Sequence, residues 1–408
     1  MTDILVIGGG PAGMMAAIAA GQSGKRVLLL EKNEKLGKKL FITGKGRCNI
    51  TNACDLEDFP KNIVRNPKFL FSAFYSLTND MLVSMLNENG LPTKVERGGR
   101  VFPVSDKSND VIRCLTSLLH KANVAIRLNS AVKELKSSSN GFLVRTEKES
   151  FLANKVILAS GGASYPVTGS TGDGYRFAQA FHHEIIPPAA SLVPLVEKGD
   201  FCSQVQGLSL KNVTFTLYQN NKKLFGDLGE MLFTHFGLSG PLVLSASAYL
   251  NSRETQNVCG VIDFKPALSN EKLDARLLRD FDVNKNKQLK NVASGLLPAK
   301  LVLPFLHKIG LDPALPIHSI TKTQREKLIH GLKAFEIPIA GVRGMDEAII
   351  TRGGVKTAQV NPSTMESKLM PGLYFAGELL DVDALTGGFN LQIAFSTGFL
   401  AGLSAAEQ

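Results

Sequence analysis

Cysteine is scarce in this chain of 408 residues, and the few cysteines are not spaced for covalent or metal chemistry. They are odd in number, include no C-x-x-C pair, and lie at Cys48, Cys54, Cys114, Cys202 and Cys259. This pattern argues against a disulfide framework, a zinc ribbon and a dithiol redox centre, so we expect reduced thiols. His182 and His183 also lack ligand-type partners at metal spacing, and we predict no metal site.

The chain has little that resembles a targeting segment or a membrane span. No charged residue lies between Asp3 and Lys25, but a signal peptide begins with basic residues, and this stretch begins with an acid. Glycines and a proline also interrupt it. We find no other candidate span, and we therefore expect no membrane association and a soluble, cytoplasmic protein.

The net charge is +10, and cationic residues are dense from Lys25 to Arg47 and again from Lys285 to Lys300. Neither run has the aromatic interleaving of a typical RNA-binding face. We interpret both runs as solvated surface with phosphate contacts, and nucleic acid is not the partner that we expect. An RNA-binding face remains the alternative.

The first residues of the chain carry its strongest pattern. An apolar segment, 3–7, is followed by the glycine loop 8–13, which satisfies G-x-G-x-x-G, by a run of helix formers and by a second apolar segment, 25–30. Glu31 closes that second segment. This is the order that a dinucleotide site requires, because the loop admits a pyrophosphate at a helix N-terminus and the acid accepts from ribose hydroxyls. The alternative is a loop that only connects a strand to a helix.

An acid at position 31 disfavours a ribose 2′-phosphate, so this site is not expected to hold NADP. Further along, the apolar run 156–159 ends in Gly161 and Gly162, as at the ligand-binding edge of a parallel sheet. The segment 372–378 repeats this pattern near the end of the chain, and the glycines before residue 389 can present N–H groups to an anion.

The middle of the chain differs from both ends. Pro187, Pro188 and Pro194 break the α/β pattern, residues 195–264 are β-rich, and residues 271–332 have helical character interrupted by prolines. We therefore predict an α/β protein of two or three domains in which the first and last segments form one ligand-binding domain around an insertion.

Taken together, these segments resemble a bacterial family of FAD-binding, NAD(P)/FAD-dependent oxidoreductases that includes aminoacetone oxidases and BaiN-type reductases. The matching motifs span nearly the whole chain; they are residues 8–13 with Glu31, 44–49 with 51–52, 161–166 with 168–172, 233–241, 351–355, 377–378 and 387–390. The helical middle matches only loosely.

The resemblance implies one FAD per chain and a Rossmann-like fold of the type with two dinucleotide-binding domains, built on a mostly parallel sheet. It also implies three parts: an FAD-binding domain over residues 1–190 and 346–408, an inserted β-rich domain over 191–268 and 335–345, and a helical subdomain over 269–334.

The predicted FAD-binding residues come from the motifs and the resemblance together. They are Gly8, Gly10, Pro11, Ala12, Gly13, Glu31, Lys32, Lys39, Gly44, Gly46, Arg47, Cys48, Asn49, Val132, Gly161, Gly162, Gly377, Glu378, Asp381, Gly387, Gly388, Phe389, Asn390 and Leu391. Among them, Lys39 and Arg47 are candidates to neutralise the pyrophosphate, with exposed loop charges as the alternative. Glu378 or Asp381 would meet the ribityl or phosphate region. We expect Cys48 to be a packed small residue rather than a catalytic thiol.

Tyr165 and His235 are the candidates for acid–base chemistry or substrate contact, with hydrogen-bonded structural roles as the alternative. Three functions remain open. The first is a flavin oxidase of a small amine such as aminoacetone. The second is an NAD(P)H-dependent reductase of an unsaturated or keto substrate that binds the nicotinamide transiently. The third is a flavin-containing protein that binds or modifies RNA.

Overall fold

The structure is a computed structural model that describes residues 2–250 and 255–407. The strands are β1 Thr2–Ile7, β2 Val27–Leu30, β3 Thr51–Asn52, β4 Ile63–Arg65, β5 Thr93–Glu96, β6 Arg100–Pro103, β7 Ala125–Arg127, β8 Val132–Ser138, β9 Gly141–Thr146, β10 Ser150–Leu158, β11 Ile185–Ser191, β12 Leu195–Glu197, β13 Ser209–Gln219, β14 Lys222–Phe233, β15 Gly237–Ser239, β16 Val258–Asp263, β17 Phe335–Val342, β18 Ile350–Val355, β19 Leu373–Phe375 and β20 Asp383–Ala384.

The α-helices are α1 Pro11–Gln22, α2 Lys38–Ile42, α3 Phe71–Ser76, α4 Asn79–Glu88, α5 Ser108–Lys121, α6 Asp173–Ala180, α7 Phe201–Gln204, α8 Pro241–Ser247, α9 Asn270–Val283, α10 Leu289–Ala293, α11 Ala299–Lys308, α12 Lys322–Lys333 and α13 Phe389–Glu407. Short 3₁₀ segments lie at Thr43–Gly46, Leu56–Asn62, Pro67–Leu70, Pro166–Thr168, Ile317–Ser319, Thr357–Gln359 and Gly377–Leu379.

The described residues form two compact units, one over 2–191 and 345–407 and the other over 192–344. In the first unit, a sheet runs in the order β7-β2-β1-β10-β9-β8, and β19 also pairs with β10. The strands β7, β2, β1, β10 and β19 are parallel, whereas β8 and β9 form an antiparallel hairpin. The predicted α/β class with a mostly parallel sheet is confirmed.

The central strands are apolar without alternation because helices and loops cover both sheet faces. Leu5, Val6, Val156 and Ile157 are fully buried in neighbouring strands. Parallel pairing of β1 with β10 and of β10 with β19 brings the carboxyl ends of these strands to one edge. The motifs that follow each strand therefore meet there.

Helices α1 and α13 pack with their backbones in close approach. A Cβ atom on Gly398 would overlap the carbonyl oxygen of Ala12, and one on Gly402 would overlap that of Ala16. Small residues thus let the last helix of the chain lie directly on the first. This contact joins the first and last segments of the first unit.

The segment 185–191 contains Pro187 and Pro188, and the sequence analysis predicted no strand there. It forms β11, which pairs antiparallel with β18, and its register shifts between Ile186 and Ala189. Proline is tolerated in a strand at such an irregularity because it has no N–H to contribute to the ladder. The two prolines at 187 and 188 occupy this shift.

The second unit is a closed barrel in the order β12-β15-β14-β13-β16-β17, with four helices, α9–α12, inserted between β16 and β17. Val213, Phe215 and Leu217 alternate inward along β13 and are buried. Phe264 and Phe335 pack edge-on or tilted against Phe305 of α11. Barrel and helices thus share one hydrophobic cluster. The three-part division stays a prediction.

One stretch, Pro67–Glu88, is long and apolar enough by composition to be considered for a membrane span, and 44% of its most apolar window is buried. The sequence analysis did not single it out. It contains α3 and α4, and Thr78 interrupts it by capping α4, with its hydroxyl accepting from Met81 N at 3.1 Å. The core helices of other proteins share this length and composition.

Candidate functional site

The glycine loop between β1 and α1 forms an open cradle. Gly8 has a φ of +112° and its N–H donates to Leu30 O at 2.9 Å, which ties the turn to β2. Gly10 is the N-cap of α1 and supplies no side-chain cap, and a Cβ placed on it would meet nothing within 4 Å. The N–H groups of Ala12 and Gly13 lie in the first turn of α1, where no carbonyl of the helix can accept from them. This arrangement suits a pyrophosphate.

Glu31 lies at the carboxyl end of β2, and only 7% of it is exposed. One carboxylate oxygen accepts from Gly9 N at 2.6 Å, and the other accepts from Asn33 N at 2.8 Å. The side chain therefore holds the glycine loop next to the segment that follows β2. Oε1 also accepts from Asn33 Nδ2 at 2.7 Å, which fills its two acceptor positions. Oε2 accepts only from Gly9 N among the described residues, so it can also accept a ribose hydroxyl.

The segments beside Glu31 are held by further hydrogen bonds. Ser130 N donates to Glu31 O at 2.9 Å, which brings the start of β8, Val132, next to this edge. Lys32 donates to Thr171 Oγ1 at 2.6 Å and pairs with Asp173 at 2.7 Å. Lys32 therefore ties the end of β2 to the start of α6, and its ammonium group is already paired with a carboxylate.

The loop 44–49 takes a conformation that few residues adopt. Gly44, Lys45, Gly46 and Cys48 all have positive φ values, between +56° and +83°. A Cβ on Gly44 would crowd Asn49 N, whereas one on Gly46 would meet nothing within 4 Å. Glycine is required at such turns because it carries no Cβ. The open side at Gly46 leaves room for a ligand to approach the backbone.

Arg47 pairs with two carboxylates in this structure. Its guanidinium binds Glu96 and Asp106 and lies 4.2 Å from the ring centroid of Phe102. Hydrogen bonding to the two carboxylates raises the pKa of Arg47. The guanidinium thus anchors the loop 44–49 to the hairpin of β5 and β6. Neutralisation of a pyrophosphate by Arg47 would require it to leave these partners.

Lys39 and Glu378 form an ion pair that joins distant parts of the first unit. Lys39 Nζ lies 2.7 Å from Glu378 Oε2 and donates to Ser164 Oγ at 2.7 Å. Glu378 Oε1 also accepts from Ser164 Oγ at 2.9 Å and from Thr351 N at 2.8 Å. Burial raises the pKa of Glu378, but Lys39 and the hydrogen bonds outweigh it and hold the pKa below its usual value. The carboxylate is therefore charged at neutral pH.

Asp381 is a second acid of the site, and its pKa is raised where that of Glu378 is lowered. Burial raises the pKa of Asp381, against the lowering effect of Arg65, which itself pairs with the buried Asp383 at 2.7 Å. Asn66 donates to Asp381 Oδ2 at 3.2 Å, while Oδ1 is buried with no partner among the described residues. An unpaired buried oxygen of this kind fits a hydroxyl donor from a ligand.

Gly387 and Gly388 lead into α13 with φ values of +126° and +102°. A Cβ on Gly388 would overlap the backbone of Thr51, so glycine is required here. Asn390 accepts from Ala384 N at 3.0 Å and donates to Ala384 O at 2.9 Å. Phe389 and Leu391 flank it at the start of the helix. Asn390 therefore shapes this loop through its side chain and leaves the first turn of α13 to a ligand.

The residues present fit a bound dinucleotide such as FAD. Besides the open cradle at Gly10, buried polar atoms without a partner among the described residues occur at five places in the same unit. They are Asn49 Oδ1, Ser160 Oγ, Tyr175 OH, His183 Nδ1 and Asp381 Oδ1. Ser160 directly follows β10 and precedes Gly161 and Gly162. Such groups are costly unless a ligand or water satisfies them.

The two candidate acid–base residues lie in different units. Tyr165 is half-buried, with a φ of +51°, at the start of the 3₁₀ segment Pro166–Thr168. His235 is exposed before β15, and its ring packs edge-on against Phe236 at a centroid distance of 4.9 Å. Neither side chain has a hydrogen-bond partner among the described residues.

Cysteine and histidine contribute no obvious chemistry elsewhere. Burial raises the pKa of the Cys48 thiol to about 12, and all five cysteines are free. His183 is buried, donates or accepts at Ser367 Oγ (2.8 Å) and has a pKa lowered to about 4 by burial. Within residues 2–250 and 255–407, no cluster of histidine, cysteine and acidic residues is arranged to hold a metal ion.

The comparison with known proteins matches this picture. A sequence model described as the HI0933-like protein Rossmann domain matches residues 2–404. The chain belongs to the HI0933-like family. This confirms the predicted resemblance, and with it the prediction that the chain is an FAD-dependent oxidoreductase.

Three curated members of the family are similar over their full length. The chain is 34% identical over 420 residues to the 3-dehydro-bile acid delta(4,6)-reductase of Clostridium scindens, covering 100% of both proteins. It is 31% identical over 399 residues to the ribosomal RNA dihydrouridine synthase of Escherichia coli, covering 97% and 96%. It is 32% identical over 414 residues to the enzyme of that name from Haemophilus influenzae, covering 100% and 99%.

Several residues of the site were not singled out from the sequence. Ser164 and Thr351 complete the polar cluster around Glu378, and Glu96 and Asp106 hold Arg47. Ser164 and Thr351 belong to motifs that the resemblance used, so that signal was available. Glu96 and Asp106 carry no motif, and only the fold brings them to Arg47.

Proposed function

We propose that the chain is an FAD-dependent reductase that saturates a carbon–carbon double bond conjugated with a carbonyl group. The observation that carries this proposal is the full-length similarity to relatives whose names describe one chemistry. A delta(4,6)-reductase of a 3-oxo bile acid saturates ring double bonds conjugated with a ketone. A dihydrouridine synthase saturates the C5=C6 bond of uracil, which is conjugated with the C4 carbonyl.

As the substrate we propose uridine within ribosomal RNA. Two of the three relatives carry that substrate in their names, and a net charge of +10 suits a polyanionic partner. The sequence alone gave little weight to RNA because its basic runs lack aromatic residues. Reduction of the C5=C6 bond of uracil does not require aromatic side chains within the basic runs. The lack of aromatic residues there therefore does not exclude RNA.

The second candidate substrate is a small, rigid enone such as a 3-oxo steroid acid. It is favoured by the relative with 34% identity over the whole chain. Both candidates require the same redox step and differ in how the rest of the substrate is bound. The amine oxidation that the resemblance suggested has no counterpart in the names of these relatives.

The chain's own residues hold and orient the cofactor in this proposal. The first turn of α1 would hold the pyrophosphate, Glu31 would accept from the adenosine ribose, and the start of α13 would hold the flavin. When bound, FAD supplies the hydride. The Lys39–Glu378 pair ties the segments around the cofactor together, and Asp381 Oδ1 accepts from a ligand hydroxyl.

Saturation also needs a proton at the neighbouring carbon. We propose Tyr165 and His235 as the candidates for its donor, since each carries an O–H or N–H group within a family motif. Electrons come from NAD(P)H that binds transiently. The glycine-rich segment 169–174 follows a 3₁₀ segment rather than a strand, so it does not form a second nucleotide site of the Rossmann type.

Mass spectrometry of nucleosides tests the substrate. The purified holoenzyme is incubated without oxygen with NADH or NADPH and unmodified ribosomal RNA, and with a 3-oxo-4,6-diene steroid acid in parallel. Dihydrouridine in the RNA supports the main proposal, and a saturated steroid alone supports the second candidate.

Flavin absorbance near ~450 nm separates reduction from oxidation in the same samples. Bleaching by a nicotinamide before substrate is added is expected. Bleaching by aminoacetone, followed by fast recovery in oxygen with peroxide, would instead make the chain an amine oxidase and overturn the proposal.

We also propose that the enzyme acts in the cytoplasm. Its five free cysteines support a reducing compartment.

A further inference from the structure

The positive charge of the second unit is concentrated on its helices. Between residues 269 and 334, lysines and arginines outnumber aspartates and glutamates by about two to one, whereas the rest of the unit, residues 192–268 and 335–344, has equal numbers of both. Lys272, Arg276 and Arg279 of α9 follow a spacing of four and three residues, which places them on one helical face. The opposite face, Leu273 and Leu277, is buried in the hydrophobic cluster.

The segment after α9 adds two more cations in a fixed position, Lys287 in the loop and Lys290 in α10. Ile317 N donates to Lys287 O at 3.0 Å, and Lys290 N donates to Pro313 O at 3.1 Å, so the backbone of the loop is tied to the segment before α12. The side chains of Lys287 and Lys290 are exposed, and neither has a carboxylate partner among the described residues.

The helical face and the loop belong to one surface. The Arg276 guanidinium donates to Gly295 O at 3.4 Å, and Gly295 lies just beyond α10, the helix that contains Lys290. Acidic neighbours do not neutralise this surface fully. Asp280 pairs with Arg276 at 3.6 Å, whereas Lys272 and Arg279 have no carboxylate partner in the part of the chain that the structure describes. We call Lys272, Arg276, Arg279, Lys287 and Lys290 the α9–α10 basic surface.

We propose that the α9–α10 basic surface binds the phosphate backbone of the substrate RNA. This inference rests on the proposed function and assigns its partner a docking surface. A membrane is a poorer partner, because three of the five large apolar side chains of α9, Leu273, Leu277 and Phe281, are buried. The two exposed ones, Leu278 and Val283, are five residues apart and do not form one apolar face. Cations without carboxylate partners on a helix and an ordered loop suit a polyanion, which binds through release of its counterions.

Charge reversal tests the surface. The variant carries Lys272→Glu, Arg276→Glu and Arg279→Glu, which keep helix-forming residues on α9. A matched control reverses three exposed lysines of the barrel unit, Lys198, Lys211 and Lys222. Binding of fluorescently labelled, deproteinised ribosomal RNA to each FAD-loaded protein is measured by anisotropy over a series of salt concentrations.

We expect the α9 variant to bind RNA about a hundredfold more weakly than the parent, with a salt dependence reduced by about two to three contacts. The control should bind within about twofold of the parent at moderate salt, where distant surface charges are screened. Equal weakening in both variants would overturn the surface, since net charge alone would then explain binding. A neutral version, with glutamine at the same three positions, guards against misfolding, and its flavin content and circular dichroism must match the parent.

Failure of the docking surface and failure of the proposed function give different results. If the parent makes dihydrouridine and the α9 variant binds RNA as well as the parent does, only the surface is wrong. If the parent makes no dihydrouridine but binds RNA through α9, the proposed reaction is wrong and the surface stands. If the parent binds no RNA even at low salt, both are wrong.

Discussion

Glu31 has two tasks at the residue scale, and they can be separated. Its carboxylate accepts from Gly9 N at 2.6 Å, and we propose that it also accepts from a ribose. Replacement of Glu31 by alanine removes both interactions, so we expect the purified variant to lose most of its FAD during gel filtration. The measurement is the ratio of flavin to protein absorbance, together with the melting temperature by circular dichroism.

Glu34→Ala is the matched control for this variant, because Glu34 is exposed and its one ion pair among the described residues is with Lys38 at 3.0 Å. It should keep its flavin. If the Glu31 variant stays as yellow as the parent, the ribose assignment is wrong. If it loses flavin and also unfolds, the loop contact to Gly9 is the more important of the two tasks.

The Lys39–Glu378 pair predicts a dependence of stability on pH. The pKa of Glu378 in the folded protein lies below its ordinary value of 4.5. The stabilising contribution is therefore complete above that ordinary value and is lost as the pH falls through the lowered one. Glu378→Gln should remove this contribution and cost about 3 kcal/mol at neutral pH, because Lys39 would be left without its carboxylate.

Urea unfolding at neutral pH and at pH 4 measures this effect for the flavin-free protein. The double variant Lys39→Met, Glu378→Gln should recover part of the loss, since no charge is then left unpaired. A Glu378 variant as stable as the parent at neutral pH would show that the pair contributes nothing.

At the scale of elements, local patterns predicted the ligand-binding edge well. The strand, glycine loop and helix at 2–22 follow from apolar runs and glycine positions that need no distant contact. The strand through Pro187 and Pro188 could not be predicted in this way. It exists because β18, more than 150 residues away in sequence, pairs with it around an irregularity.

The polar clusters of the site were less predictable than its backbone. The segment around Glu378 was recognised as part of the site, but its partner Lys39 was assigned to a pyrophosphate. No local pattern links residues that lie 339 positions apart, and only the parallel order of β1, β10 and β19 brings their loops together. The alternation of apolar and polar residues along the six barrel strands likewise could not predict that they close into a barrel.

The contact between α1 and α13 yields a prediction about packing. A methyl group on Gly402 would overlap the carbonyl oxygen of Ala16, so Gly402→Ala should destabilise the protein by about 2 kcal/mol despite the better helix propensity of alanine. Gly341→Ala is the control, because a Cβ there meets nothing within 4 Å. Thermal melts compare the two, and equal melting temperatures would contradict the close approach of the helices.

At the scale of the whole molecule, each unit has its own hydrophobic cluster. The glycine loop, Glu31 and Glu378 all lie in the first unit. A ligand stabilises only what it binds in the folded state. We therefore expect calorimetry of the flavin-free protein to resolve two transitions, of which added FAD raises only one. At a hundredfold excess over its dissociation constant, FAD should add about 2.7 kcal/mol to that unit.

The Glu31→Ala variant assigns the transition, because it should keep both transitions but lose the shift caused by FAD. Phe305→Ala, in the shared core of barrel and helices, should lower the other transition, because it leaves a large cavity beside Phe264 and Phe335. A single transition that FAD shifts as a whole would mean that the two clusters unfold together. In that case the insertion contributes directly to the stability of the flavin-binding unit, and its variants should change flavin retention as well.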